Sequence, residues 1–477
     1  MTVLQSPPKH LVALRISTLI SALSFYVSSF PGFVSPDTVI MFNEAKSGIY
    51  TTVHTPFLSW LWSFLMPTQF GPIGPHLLQV GLFWLGIYFV CYSLSISLGR
   101  AVVFVPPVML LFDSTWSLSW LWKDSASASF LVLAVGLISR SDFCQRDRNR
   151  RTLQCVSMVF VALFLMVRSY MLPANLFVIL FFFLYILDFS QHKSFGFKTK
   201  LRILRLPITV LIISCISIQS FTQVVIKPTT YSAHGSAIFL QDLMRINCLS
   251  GGNQELIPAK FIVEGDGKLC DRFSPSGLES LIWYADGYQH LRLAETSSEE
   301  SELFAIWKAN VTSELSPLLA SRFILFTNFY GASNWIPYSQ ASLQFWPAGT
   351  KTISSEIGWQ PVGGLPLLLI RLPSLLLSVF PFFDSLLKLG VFPGLVFPWL
   401  LIAIMALRGK VLRSSLVTGA VFPTLWAFEF SVISAWNDAV RYFIPASWFG
   451  MCITLLLLRD FNSPHRINRL GLSNQYR

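Results

Sequence analysis

Apolar runs about as long as a bilayer is thick recur along most of this chain. One helical span takes roughly 20 mostly apolar residues. Runs of that character lie at 10–30, 77–97, 101–119, 125–139, 155–171, 173–188, 207–226, 387–407, 415–435 and 440–458. In hydrocarbon every backbone N–H and C=O needs a partner within the protein, and a helix supplies one locally. Composition agrees: 53% of the 477 residues are hydrophobic and 12% are charged, against about 25% charged in an ordinary soluble domain. The expected fold class is an all-α polytopic membrane protein.

The first run carries Lys9, His10 and Arg15 near its start, as a signal peptide does. Its apolar stretch is long and it lacks a convincing small-x-small cleavage site, which favours an uncleaved first span. The net charge of +11 sits in short clusters between apolar runs: Arg146 to Arg151, Lys198 to Arg205, Arg408 to Arg413, and the tail from Arg459. Short basic loops mark the cytoplasmic face of a membrane protein, so the charge reads as topology and not as a nucleic-acid surface. With the N-terminus inside, loops 140–154 and 189–206 fall inside and segment 227–362 falls outside. That segment holds 13 of the 24 acidic residues, as a solvated extracytoplasmic loop or small domain would. Stretches 316–330 and 363–383 must both cross or both stay out. Their Arg322, Arg371 and Pro373 favour the outer interface, giving ten spans with twelve as the alternative. The organisation expected is an N-terminal membrane module (1–226, with a first outer loop at 31–76), the outer segment (227–362) and a C-terminal membrane module with a cytoplasmic tail (363–477). Cys248 and Cys270 both lie in the outer segment, 22 residues apart, where an oxidising compartment permits a disulfide.

Several ionisable residues near span ends are not explained by basic-loop topology: Asp37, His54, Asp113, Lys123, Asp124, Arg168, Glu429, Asp438 and Arg441. In the topology above all lie at the outer face. Charges at membrane depth are costly and commonly face a cavity, a partner or a substrate. The set mixes carboxylates with Arg and Lys. Arg offers a planar fork for phosphate; carboxylates act as general bases or hold hard divalent cations. A substrate with a phosphate at the interface and a tail in lipid would use both. Plainer roles exist for each residue. Asp37 is a favoured N-cap for a helix beginning near Thr38, and His54 could be a turn residue. Lys123 could pair with Asp124, or Glu429 with Arg441. The Trp-rich stretches at 60–62 and 120–122 fit an interfacial aromatic belt.

The stretch Ser35-Pro36-Asp37-Thr38, followed by Gly48-Ile49-Tyr50 and His54-Thr55-Pro56, resembles the first outer loop of the GT-C superfamily of bacterial membrane glycosyltransferases. Thr55 stands where Pro is commoner. Trp122-Lys123-Asp124, the Arg168 to Pro173 segment and the run from Asp438 through Arg441 and Tyr442 to Pro445 are similar to later segments of such proteins, in the same order. The outer segment matches only loosely, around Phe239 to Leu249 and Leu315 to Phe323.

The resemblance implies a GT-C-like bundle of about 10–12 transmembrane helices in the cell membrane. Its substrate would be a polyprenyl-phosphate-linked sugar, and transfer would take place on the extracytoplasmic side. The acceptor would be a glycan, lipid or protein hydroxyl. Asp37 would be the general base, with inversion at the anomeric carbon. Arg441, with Arg168 or Lys123, would bind the departing phosphate. His54 and Tyr442 would hydrogen-bond sugar or phosphate. Asp124, Glu429 and Asp438 would support those cations or hold a divalent ion such as Mg or Mn, the superfamily having metal-dependent and metal-independent members. The alternatives are a transporter or lipid flippase, which would favour inverted repeats of broken helices, and a cell-surface polysaccharide polymerase, which would not require an acid directly after the first span.

Overall fold

The computed structural model describes residues 9–30, 32, 36–51, 55–65, 72–110, 112–168, 172–190, 197–228, 234–249, 256–263, 269–270, 291–316, 318–320, 322, 392–410, 412–429 and 443–462. Among these the chain is almost wholly helical, and Ile262 and Leu291 form an isolated antiparallel bridge. Helices α1 (Lys9–Ser29), α2 (Pro36–Ser47), α3 (Pro56–Leu65) and α4 (Ile73–Leu98) are followed by two short pieces, α5 (Val105–Met109) and α6 (Asp113–Trp116). Then come α7 (Lys123–Ser141), α8 (Asp147–Val167), α9 (Leu172–Ser190) and α10 (Phe197–Phe221). Helices α11 (His234–Leu249) and α12 (Ser297–Ser313) belong to segment 227–362. Helices α13 (Phe392–Leu407), α14 (Ser414–Glu429) and α15 (Ile444–Asn462) complete the described set. Among the described residues, five helices are long and apolar enough to cross a membrane: those at 10–29, 73–95, 147–167, 198–226 and 444–462. The fold is that of an all-helical protein compatible with a membrane.

Successive long elements run between two ends of one bundle. At the first end, Ser29 of α1 meets His76 of α4, Asp124 of α7 meets Arg168 after α8, and Ala174 of α9 meets Glu429 of α14. At the opposite end, Asp142 after α7 meets Tyr185 of α9 and Arg459 of α15, and Asp188 of α9 meets Ser414 and Ser415 of α14. Helix α7 is the axis, buried from Asp124 through Ser139. Its small residues let backbones close up. A Cβ on Gly136 would lie 2.5 Å from the Gly86 carbonyl oxygen of α4, and one on Gly86 would lie 2.7 Å from the α7 backbone. Small residues at helix crossings are how bundles gain close packing where burial from water gives no drive. Outward faces stay apolar: Ile16, Leu19, Ile20 and Leu23 of α1 and Ile212, Ile213 and Ile216 of α10 are all exposed.

The expected span 101–119 is not a continuous helix. Residues 99–122 form a 3₁₀ turn (Gly99–Phe104), α5, α6, a second 3₁₀ turn (Ser117–Ser119) and an extended link. Pro106 and Pro107 lack donors for a continuous helical ladder, and Gly99 has φ of +55°. The segment nonetheless runs from the level of Ser17, whose hydroxyl donates to the Val103 carbonyl (2.6 Å), to that of Thr38, which donates to Leu121 (2.8 Å). Side chains satisfy the carbonyls a helix would have satisfied. Gln79 Nε2 donates to Leu118 (2.6 Å) and Trp120 (3.1 Å), Trp116 Nε1 to Leu110 (3.1 Å), Ser125 to Ser117 (2.9 Å), and Thr115 to Met109. Irregular backbone within an apolar bundle is tolerated where protein buries it.

Segment 227–362 has a core of its own, distinct from that of the bundle: Leu240, Leu243, Met244, Ile257, Phe261, Leu269, Leu291 and Leu303. Cys248 and Cys270 are joined as a disulfide at its edge. Asp242 is a buried clamp. It accepts from Arg322 on both oxygens (2.7 Å each) and from Trp307 Nε1 (2.9 Å), with Arg245 at 3.3 Å. Residue 322 thus packs into this unit. Residues 323–391, with the stretch 363–383, lie outside the described residues.

Candidate functional site

Asp37 lies in the first turn of α2. Pro36, the first helical residue, has its φ already set for the helix and loses no hydrogen bond there. A carboxylate in a first turn is favoured by the exposed N–H groups. The helix therefore begins ahead of Asp37 and not after it, as the cap at Thr38 required. It ends at Gly48, whose φ of +71° and N–H to the Glu44 carbonyl (2.9 Å) form a left-handed stop.

This first loop is built, not loose. Met41 and Phe42 of α2 and Leu58 and Trp62 of α3 share a small core with Leu121 and Ala126. Beneath it Glu44, 4% exposed, accepts from the Thr51 N–H (3.0 Å), from the Thr51 hydroxyl and from Ser59 Oγ (2.6 Å). That carboxylate fixes both ends of the connection in which His54 stands; His54 itself lies outside the described residues. The Thr38–Leu121 bond ties the residue after Asp37 to the strand-like link two residues before Lys123. His76 fixes the loop's other root: Nε2 lies 2.9 Å from Ser29 Oγ, and the ring stacks on Tyr26 at 5.3 Å. Gly32 passes so close that its Cβ would lie 3.2 Å from that ring.

Around this platform the same end of the bundle gathers Lys123, Asp124, Arg168 and Glu429. Lys123 is half-buried at the first position of α7. Asp124 is 2% exposed, Arg168 is 0% exposed, and the two form an ion pair. Neither is laid open for a substrate phosphate. The Arg168 guanidinium is engaged by a carboxylate, and it also locks the start of α7 to the end of α8. Asp124 pairs here with Arg168, a partner the simplest local reading did not name. Arg168 also accepts, through its carbonyl, from Asn175 Nδ2 (2.7 Å). Glu429, buried, accepts from the Ala174 N–H (2.8 Å) in the first turn of α9. It serves there as an acceptor for an otherwise orphaned helix donor. Asp438, Arg441 and Tyr442 lie outside the described residues, as does the Asp113 side chain. Among the described residues no group of three or more His, Cys, Asp or Glu side chains converges on one point.

Sequence reasoning missed Glu44, His76 and Gln79. Each is a polar residue on an otherwise apolar helix face, and that was the available signal. What each bonds to comes from distant chain, which the signal does not name. No family model, no curated protein and no solved structure matches this chain.

Proposed function

We propose that this chain is an integral-membrane glycosyltransferase of GT-C type with ten passes, segment 227–362 facing the outside. It moves a sugar from a polyprenyl-phosphate donor to an acceptor hydroxyl. The observation that carries the reading is the position of Asp37. It sits at the head of a short helix that Glu44 and Thr38 anchor, at the bundle end that also holds Lys123 and the Asp124–Arg168 pair. A base on a rigid support at the mouth of an apolar bundle is where an aqueous acceptor and a lipid-borne donor would meet.

In this reading the Asp37 carboxylate takes the acceptor hydroxyl proton as that oxygen attacks the anomeric carbon. The bond from that carbon to the phosphate oxygen breaks, and polyprenyl phosphate leaves with the electron pair. Lys123 and Arg441 stabilise the leaving charge. Arg168 acts through position, pinning the α7 start that carries Lys123. General-base help is worth roughly 10²–10⁴-fold, and fixed cations at developing charge are usually the larger contribution.

The test uses membranes with matched expression and a labelled polyprenyl-phosphate sugar. Asp37→Asn keeps shape and loses proton acceptance. Donor binding should stay within a few-fold while transfer falls about 10²-fold or more. Arg441→Ala should lower both, and Arg441→Lys should rescue in part. Native transfer by Asp37→Asn would remove Asp37 as base. The broken crossing at 99–122 is the one observation that favours a transport reading, because interrupted helices often line transport sites. Its carbonyls are taken up by Gln79, Ser17, Thr38 and Ser125, which argues for a structural role. Movement of donor lipid across vesicles without sugar transfer would reverse that preference.

A further inference from the structure

A groove of about 610 Å3 lies between the first turns of α8 and the facing turn of α10, far from the candidate site. Arg148, Arg151 and Thr152 stand at its head, and Val156 and Leu206 form its lower wall. Positions 148, 151, 152 and 155 recur at helical three-and-four spacing, so one face of α8 supplies them. The size is in the range of small-molecule sites. Asp147 also lines the groove, but its carboxylate is paired with Arg150. Arg148 and Arg151 have no ion pair among the described residues. Two guanidiniums above an apolar wall call for a ligand that is anionic at one end and hydrocarbon at the other.

We propose that this groove binds an anionic phospholipid of the surrounding bilayer, its phosphodiester between Arg148 and Arg151 and an acyl chain along Val156 and Leu206. Free phosphate would satisfy the head and leave the wall bare. A lipid source is favoured because both walls are helices of spanning length. Helix α10 is also poorly covered by the rest of the protein, with Leu201, Leu206, Ile212, Ile213 and Ile216 exposed, so the groove has bilayer on one side. Basic pockets between spans are a known physical solution for lipid headgroups, and each Arg or Lys near a membrane surface adds to anionic-lipid attraction. The proposal does not depend on the glycosyltransferase reading.

The full chain is reconstituted in phosphatidylcholine nanodiscs doped with phosphatidylglycerol, and retained lipid is read by native mass spectrometry. Phosphatidylglycerol should be retained over phosphatidylcholine. Replacing Arg148 and Arg151 together by Gln should lower that preference roughly tenfold or more. Arg408→Gln with Lys410→Gln removes the same charge from another loop and should leave the preference unchanged. Cys155, which lines the groove and carries a free thiol, should be alkylated more slowly in phosphatidylglycerol than in phosphatidylcholine, and excess inorganic phosphate should not reverse this. Equal retention by the two double variants would mean general charge attraction and would overturn the site. Reversal of Cys155 protection by phosphate would overturn the lipid as occupant.

Discussion

The residues that shape the candidate site are mostly carboxylates placed as acceptors. Glu44 holds a turn, Glu429 holds a helix start, and Asp124 holds Arg168. A buried pair such as Asp124–Arg168 adds little over an apolar pair of equal volume, because desolvation offsets attraction. Removing one partner strands the other and costs about 3–5 kcal/mol. Arg168→Ala should therefore lower the thermal stability of the detergent-solubilised protein sharply. Arg168→Met combined with Asp124→Leu should recover most of it. A double variant as unstable as the single one would show that Arg168 serves its other neighbours more than Asp124.

At the scale of elements, helix ends decide much. Helix α12 starts with Thr296 accepting from the Glu299 N–H (3.2 Å), while Glu299 reaches back to the Glu295 N–H (2.9 Å), a close relative of the capping box. Arg292 donates to both Glu299 oxygens (2.7 and 3.1 Å). The Arg292 bonds, then the Glu295 N–H, pull the Glu299 carboxyl down to about 2 from 4.5. A carboxyl depressed in the folded state stabilises above its unfolded pKa, and that contribution is lost as pH falls through the folded one. Amide protection at the start of α12 should therefore exceed that of Glu299→Gln at neutral pH, and the difference should close between pH 4.5 and about 2. A difference independent of pH would assign the effect to packing. The Thr-x-x-Glu pattern was legible in the chain; Arg292 as its third member was not, since it follows from the loop geometry before α12.

For the whole molecule the central question is sidedness. The bundle's two ends differ in kind. One carries the Asp37 platform. The other carries the linked side chains of Asp142, Tyr185, Arg459, Asp460 and Arg413, with Arg413 Nε 2.7 Å from Asp460. Asn149→Cys and Ser301→Cys, both exposed positions, should be labelled from opposite sides of the membrane in a background without free cysteines. In intact cells an impermeant reagent should reach Ser301→Cys only. Labelling of Asn149→Cys alone would invert the topology and remove the outer site.

The sequence by itself determined that the chain is helical and apolar, where most long helices run, and that a polar segment interrupts them, because hydrocarbon length and charge placement are local properties of the chain. It also singled out Asp37, Lys123, Asp124, Arg168 and Glu429 as charges in unusual places. Only the tertiary structure decided that Asp124 and Arg168 pair, that Glu429 serves α9, and that residues 99–122 proceed without a continuous helix. In the last case a run of apolar residues reads the same whether its backbone bonds are satisfied within the run or by Ser17, Thr38, Gln79 and Ser125 from elsewhere. Hydrophobicity sets burial, but the partners of a buried polar group are chosen by whichever distant elements pack beside it.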